Sequence, residues 1–246
     1  KLNQILQKLN FKTATIKKFY KDQVDEQRLL ANKSNLYCKK KRVEALNEAI
    51  EDNIDVAIFD DGLQDDLLNY DLSFVCFNNI NWIGNSFLMP SGPLRERLKS
   101  ILKYDAVFLN GNEENNTDIK DSIQKISKTI KIFETYYKPN NIHKLNIEDN
   151  YLIFSGIGNP ISFKKTLLKY KFKIIKEIEF PDHYQYTNKD IDKIKSTAFA
   201  LDAKIITTEK DFVKISQKNL ENINFLEIDL VIKKQDELIS FIKSKI

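Results

Sequence analysis

The chain has 246 residues, with 39 Lys and Arg against 35 Asp and Glu, for a net charge of +4. That near balance argues against a nucleic-acid surface, and no run of 18 apolar residues exists to form a membrane-spanning helix. An apolar fraction of 42%, with 16 Phe and 10 Tyr, is enough for one large or two modest globular cores.

Leu2, Ile5, Leu6 and Leu9 recur at helical spacing, so residues 1–10 read as an amphipathic helix with no capping residue before it. Thr13–Ile16 reads as a short strand, 25–35 and 41–52 as helices, and 54–59 as a buried strand. Leu72–Phe77 and Ala106–Leu109 are further strand candidates. Ile130–Tyr137 alternates, Lys138-Pro139-Asn140-Asn141 breaks it, and His143–Ile147 is expected to return as a hairpin-like connector. The βα pattern then restarts: strand 151–154, helix 161–170, strand 172–179, helix 188–201, strand 204–207 and closing helix 234–245. The expectation is two α/β/α lobes with parallel sheets, at 1–128 and 150–246, joined by a connector over 129–149. Cys38 and Cys76 lack metal-ligand spacing and read as free thiols of a reducing compartment, and no secretory signal is visible at Lys1.

Five stretches carry chemistry. Asp60-Asp61-Gly62-Leu63-Gln64 follows the apolar run Val56–Phe59. Ligands bind at the carboxyl ends of strands in open α/β sheets. An Asp pair there suits Mg²⁺ beside nucleotide phosphates, and equally a solvated Asp-Gly turn. Leu88-Met89-Pro90-Ser91-Gly92-Pro93-Leu94-Arg95-Glu96 is a proline-stiffened loop delivering Arg95 for phosphate and Glu96 for a cation, or else a surface turn with an ion pair. Only four Arg occur in this Lys-rich chain, which adds weight to Arg42 and Arg95. Ser155-Gly156-Ile157-Gly158-Asn159-Pro160 is a turn between strand and helix whose N–H groups suit an anion or sugar hydroxyl. Phe180-Pro181-Asp182-His183-Tyr184 places one of only two histidines beside an Asp, suited to proton transfer or to a structural loop. Thr207-Thr208-Glu209-Lys210-Asp211 ends a strand with three charges, which a capped helix start explains equally well.

In order and spacing, Val24-Asp25-Glu26, Asp60 to Asp65, Leu88 to Glu96, Gly156 to Pro160, Phe180 to His183 and Thr208 to Lys214 resemble the motifs of the tetraacyldisaccharide 4'-kinase family of the lipid A pathway. The resemblance runs from about residue 24 to 214 and implies a larger lobe of P-loop-kinase type and a smaller α/β lobe, joined by a two-stranded linker. It implies ATP-dependent phosphorylation of the 4'-hydroxyl of tetraacyldisaccharide 1-phosphate, giving lipid IVA. ATP and Mg²⁺ would be the cofactors, the lipid A disaccharide precursor the partner, and the cytoplasmic face of the inner membrane the place, with no nucleic acid involved. Asp25 would be the main catalytic base and His183 its partner. Asp60 and Asp61 would be metal carboxylates, with Asp61 also catalytic, and Glu96 a further metal ligand. Arg42, Gln64, Arg95, Ser155 and Asn159 would line the nucleotide site.

The resemblance has gaps. The family's Gly-Lys-Thr phosphate loop and its N-terminal membrane-associating helix have no counterpart in residues 1–246. Lys17-Lys18-Phe19-Tyr20 stands where the family has Ser-Arg-Gly-Tyr, and Asp65 where it has His. The expectation is an N-terminally truncated kinase whose residues 1–246 bind ATP weakly on their own. The alternatives are another P-loop phosphotransferase or NTPase, or a P-loop-less module that binds a glycolipid or a protein.

Overall fold

A computed structural model describes residues 1–21, 23–111 and 116–246. The chain divides into two compact units, Lys1–Gly62 with Pro139–Ile228, and Leu63–Lys138 with Asp229–Ile246.

The first unit holds two parallel sheets. One has the order β2-β1-β3, built from β1 (Thr13–Lys18), β2 (Leu36–Lys39) and β3 (Val56–Phe59). Thr15 pairs with Leu36 on one side and with Ile58 on the other. Helices α1 (Leu2–Lys8), α2 (Val24–Lys33) and α3 (Arg42–Glu51) alternate with these strands. Ala14 and Ile16 on the central strand pack against Ala45 and Ala49 of α3. Small residues on the helix let it lie close to the sheet.

The other sheet has the order β10-β9-β7-β8, from β7 (Asn150–Ser155), β8 (Lys173–Glu179), β9 (Lys204–Thr208) and β10 (Ile223–Leu226). Tyr151–Phe154 has no polar residue because β7 is covered on both faces. Leu152 and Phe154 pack with Ile191, Ile194 and Ala198 of α6 (Asn188–Ala200). Tyr151 and Ile153 pack with Phe163 and Leu167 of α5 (Pro160–Lys169). Thr187 and Asp190 form a reciprocal capping box at the start of α6, and Asn159 caps α5. Leu152 is fully buried in its cluster, so Leu152→Ala should cost about 2–5 kcal/mol through lost transfer energy and a residual cavity. Chemical denaturation reads this directly, and a loss below about 1 kcal/mol would mean the site collapses around the smaller side chain.

The second unit carries the sheet β11-β6-β5-β4, from β4 (Phe74–Asn78), β5 (Ala106–Gly111), β6 (Lys131–Pro139) and β11 (Ile228–Ile232). β5 runs parallel to both β4 and β6. Helix α4 (Thr117–Ile126) puts Ile119 and Ile123 against Val107, and α8 (Gln235–Lys243) brings Phe241 onto Phe74 and Phe133.

The expected α/β class with parallel sheets holds, and the strands and helices expected from periodicity form within a few residues of their expected ends. The hairpin expected over 129–149 does not form. Ile130–Tyr137 does become a strand, but it pairs in parallel with β5, and Ile142–Lys144 is a single 3-10 turn. The strand's other neighbour is β11, some 90 residues further on, a partner local alternation cannot reveal. Strands β2, β10 and β11 and helix α4 also lay outside the sequence-based expectation.

Candidate functional site

Asp60 and Asp61 leave β3 at its carboxyl end, where the Asp60 N–H still donates to the Ile16 carbonyl at 2.9 Å. Asp61 then takes a left-handed conformation, φ +55°, which costs little for Asp compared with a branched residue. Arg42, at the start of α3 and 7% exposed, fastens this turn. Its Nη2 donates to the Asp61 carbonyl at 2.6 Å and to the Asp60 carbonyl at 3.4 Å.

The Asp60 carboxylate meets Lys17 Nζ at 2.5 Å, and the same ammonium reaches Glu26 Oε2 at 3.4 Å. Lys17 ends the buried run of the central strand, and only 6% of its side chain is exposed. Burial works against its charge, but the Asp60 and Glu26 carboxylates outweigh that and hold the amine above its ordinary value. Half of the Asp60 side chain remains open, at 42%.

Asp25 stands in the first turn of α2 with 1% of its side chain exposed. Its Oδ1 lies 3.3 Å from His183 Nδ1. His183 is delivered by the loop after β8, also in a left-handed conformation (φ +59°). Tyr186 meets Phe180 and Tyr184 edge-on, Phe180 and Tyr184 are tilted against each other, and Phe180 and Tyr186 stand edge-on to Phe154, with ring centroids 4.8–6.5 Å apart. Burial pushes the Asp25 carboxyl up. The Glu26 N–H, the charges of Lys210 and Lys214 and the His183 contact more than reverse this, so it lies below its ordinary value.

Lys210 fills the centre of the site. Its Nζ is 3.4 Å from His183 Nε2, 3.3 Å from Glu26 Oε1, 3.6 Å from Asp182 Oδ1 and 3.9 Å from Asp25 Oδ2. Opposite charges therefore alternate without a break from Asp60 through Lys17, Glu26 and Lys210 to the Asp25–His183 pair. Lys210 belongs to the short helix α7 (Glu209–Phe212), whose start Thr208 caps through the Asp211 N–H.

Two of the proposed nucleotide-site residues are engaged locally. Ser155 ends β7, 3% exposed, and its carbonyl accepts from the Phe180 N–H at 2.8 Å. Asn159 Oδ1 accepts from the Ser162 N–H at 3.1 Å as the α5 cap.

The second unit gathers a separate cluster. Gln64 lies 3.4 Å from both Arg95 Nη1 and Glu96 Oε1, and the Tyr104 hydroxyl donates to Glu96 Oε1 at 2.9 Å. Burial raises the Glu96 carboxyl, but hydrogen bonds from Tyr104, Ser100 and Gln64 bring it below its ordinary value, while Tyr104 is pushed up to about 12. The resemblance paired Asp25 with His183, and the two are in contact; it set Gln64 and Arg95 at the nucleotide and Glu96 at the metal, whereas the structure brings these three together. It assigned no role to Lys17, Lys210, Lys214 or Tyr104. Local sequence carries no signal that separates these lysines from the many others in the chain, because their burial and pairing appear only in the folded structure.

The family model described as tetraacyldisaccharide-1-P 4'-kinase matches residues 12–246. The chain is 48% identical over 238 residues to the tetraacyldisaccharide 4'-kinase of Pelagibacter ubique, covering 97% of this chain and 76% of that protein. It is 37% identical over 187 residues to the enzyme of the same name from Rickettsia typhi, covering 75% of this chain but only 56% of the relative. Among solved structures, LpxK from Aquifex aeolicus in complex with ATP superposes with a TM-score of 0.71 at 21% identity, over 99% of this chain and 81% of that one. At that identity the likeness establishes a shared fold.

Proposed function

This chain belongs to the tetraacyldisaccharide-1-P 4'-kinase family of lipid A biosynthesis, and we propose how its residues carry out the phosphoryl transfer. The donor is ATP, by analogy with the ligand named for the Aquifex protein, and the acceptor is the 4'-hydroxyl of tetraacyldisaccharide 1-phosphate. The observation that carries the reading is the Asp25–His183 pair, 3.3 Å apart and joined to Asp60 through Lys17, Glu26 and Lys210.

A sugar hydroxyl is a weak nucleophile, and phosphoryl transfer asks the protein for positioning, charge neutralisation and a proton acceptor. Asp25, buried and held in its charged form, supplies the negative charge. His183, 29% exposed, supplies the accessible face of the same acceptor. Its Nδ1 is oriented by Asp25, the arrangement in which a carboxylate fixes an imidazole for proton transfer.

Asp60 and Asp61 offer hard oxygen donors at a strand end, and Asp60 keeps an open face. Mg²⁺ typically takes one or two carboxylates plus phosphate oxygens and water, so these residues fit it, and Glu96 is the third proposed ligand. Asp60 and Asp61 would hold the ion there, and it would supply charge neutralisation for the transferring phosphoryl group. Among the described residues no group of three or more His, Cys, Asp or Glu is placed to hold a metal ion by itself. Arg42, Gln64, Arg95, Ser155 and Asn159 are proposed around the nucleotide, Arg42 by fastening the metal turn.

We place the protein at the cytoplasmic membrane surface, where its lipid substrate resides. No helix among the described residues is long and apolar enough to cross a membrane. Exposed Phe87 and Met89, at 63% and 65%, give the second unit an apolar loop suited to acyl chains. The deciding assay follows labelled γ-phosphate from ATP to tetraacyldisaccharide 1-phosphate in mixed micelles, using the whole protein. Label in the 4'-monophosphate product is expected. ATP hydrolysis without transfer would overturn the reading.

A further inference from the structure

Asp25 presents its two oxygens to different surroundings. Oδ1 faces His183, whereas Oδ2 is buried without a hydrogen-bond partner among the described residues. A buried charged oxygen is costly unless a cation stands close. Two ammonium groups do: Lys214 Nζ at 3.6 Å and Lys210 Nζ at 3.9 Å.

They are not equivalent. Lys210 is 22% exposed and shared among Glu26, Asp182 and His183. The Lys214 side chain is 1% exposed and has no outlet to solvent. Its Nζ donates to Asp211 Oδ1 at 2.9 Å and to the Gly156 carbonyl at 3.1 Å, and it lies 5.9 Å from the Tyr186 ring centroid. An ammonium has three donors. Two are spent on Asp211 and Gly156, and Asp25 Oδ2 lies 3.6 Å from the same nitrogen.

Asp211, fully buried, cannot drift either. Its Oδ2 accepts from the Gly156 N–H at 3.0 Å and from the Thr208 hydroxyl at 2.7 Å. The approach is close: a Cβ at position 156 would stand 3.0 Å from the Tyr186 hydroxyl, 3.1 Å from the Pro181 carbonyl and 3.3 Å from Asp211 Oδ1, so these neighbours would have to give by a few tenths of an ångström.

We infer that Lys214, clamped by Asp211 and the Gly156 carbonyl, is a positioning residue that fixes Asp25 in place and keeps it charged. The inference deepens the dyad proposed above and rests on it for its catalytic meaning. The other charged or titratable groups around Asp25 are Glu26 on its own helix, Asp182 and His183 on the loop after β8, and Lys210 on α7, with Tyr186 behind Lys214. Of these, only Lys214 is a cation sealed from water. Its removal should therefore ease protonation of Asp25, because an opposite charge within about 4–6 Å lowers an Asp by roughly 1–3 pH units.

The test is a carboxyl ¹³C titration of Asp25 in the 246-residue protein, with the signal assigned through Asp25→Asn and the fold checked by the amide fingerprint. In Lys214→Met the Asp25 midpoint should rise by about one pH unit or more. Lys214→Gln keeps donors in the same space without the charge, and should give the same rise should the methionine variant not fold. Lys214→Arg should hold the midpoint near the parent value. Lys33→Met, which removes a cation paired with Glu209 at 2.6 Å, should leave it unmoved. An Asp25 midpoint that stays at the parent value in a folded Lys214→Met or Lys214→Gln protein overturns the inference. The titration needs no turnover, so it separates this inference from the dyad. If the titration moves as expected but Asp25→Asn keeps its kcat, Lys214 still positions Asp25 and the proton-acceptor reading fails.

Discussion

Asp25→Ala in the whole enzyme should lower kcat on the order of 10²–10⁴-fold while leaving the KM for ATP nearly unchanged. The substitution removes the charge that makes the Asp25–His183 pair a proton acceptor, and it touches no proposed nucleotide contact. The pH dependence follows from the direction of the carboxyl shift. Burial raises the Asp25 carboxyl, but the Glu26 N–H, Lys210, Lys214 and His183 together hold it below its ordinary value. The folded value thus lies below the unfolded one, about 4 for Asp. The stabilisation from its ion pairs is complete above that unfolded value and is lost as pH falls through the folded value. If Asp25 is the site that must stay unprotonated, its acid limb in kcat falls below about pH 4. Near-normal kcat in Asp25→Ala would remove the pair from the chemistry altogether.

Asp60→Ala should abolish metal-dependent turnover. A cation at a phosphoryl oxygen is worth several kcal/mol of transition-state stabilisation, so a loss of at least about 10²-fold in kcat is expected, with a higher Mg²⁺ requirement. The variant also leaves Lys17 with Glu26 alone at 3.4 Å. Because a buried cation that loses its partner destabilises the fold, the chemical loss has to be separated from the structural one. Asp60→Asn keeps a side-chain oxygen near Lys17 while removing the charge that binds the metal. Equal thermal stability with lost Mg²⁺ response in Asp60→Asn supports the metal role. An Asp60→Asn enzyme with an unaltered Mg²⁺ dependence would assign Asp60 to an ion pair only.

Much of this protein was legible before any coordinates. Tyr151–Phe154 read as a strand from its uninterrupted apolar run, and 188–201 read as a helix, both within a residue or two of their observed bounds. The motif order around Asp25, Asp60, Arg95 and His183 identified the family without help from packing. These features are written in residue type and short-range spacing, and local physics reads them directly.

Partners distant along the chain were not legible. β6 alternates like one arm of a hairpin, yet it lies between β5 and β11, because backbone hydrogen bonds accept any extended neighbour and local sequence does not name it. The same holds for the cations of the site. Lys17, Lys210 and Lys214 look like three of many surface lysines in this chain. Only the closure of the β1 and β9 ends with α2 and the His183 loop brings them within 3.9 Å of Asp60, Glu26, Asp182 or Asp25. Sequence alone named the groups proposed for the chemistry. Tertiary structure decided which of them are dry, paired and charged, because desolvation and Coulomb attraction depend on distance in space rather than along the chain.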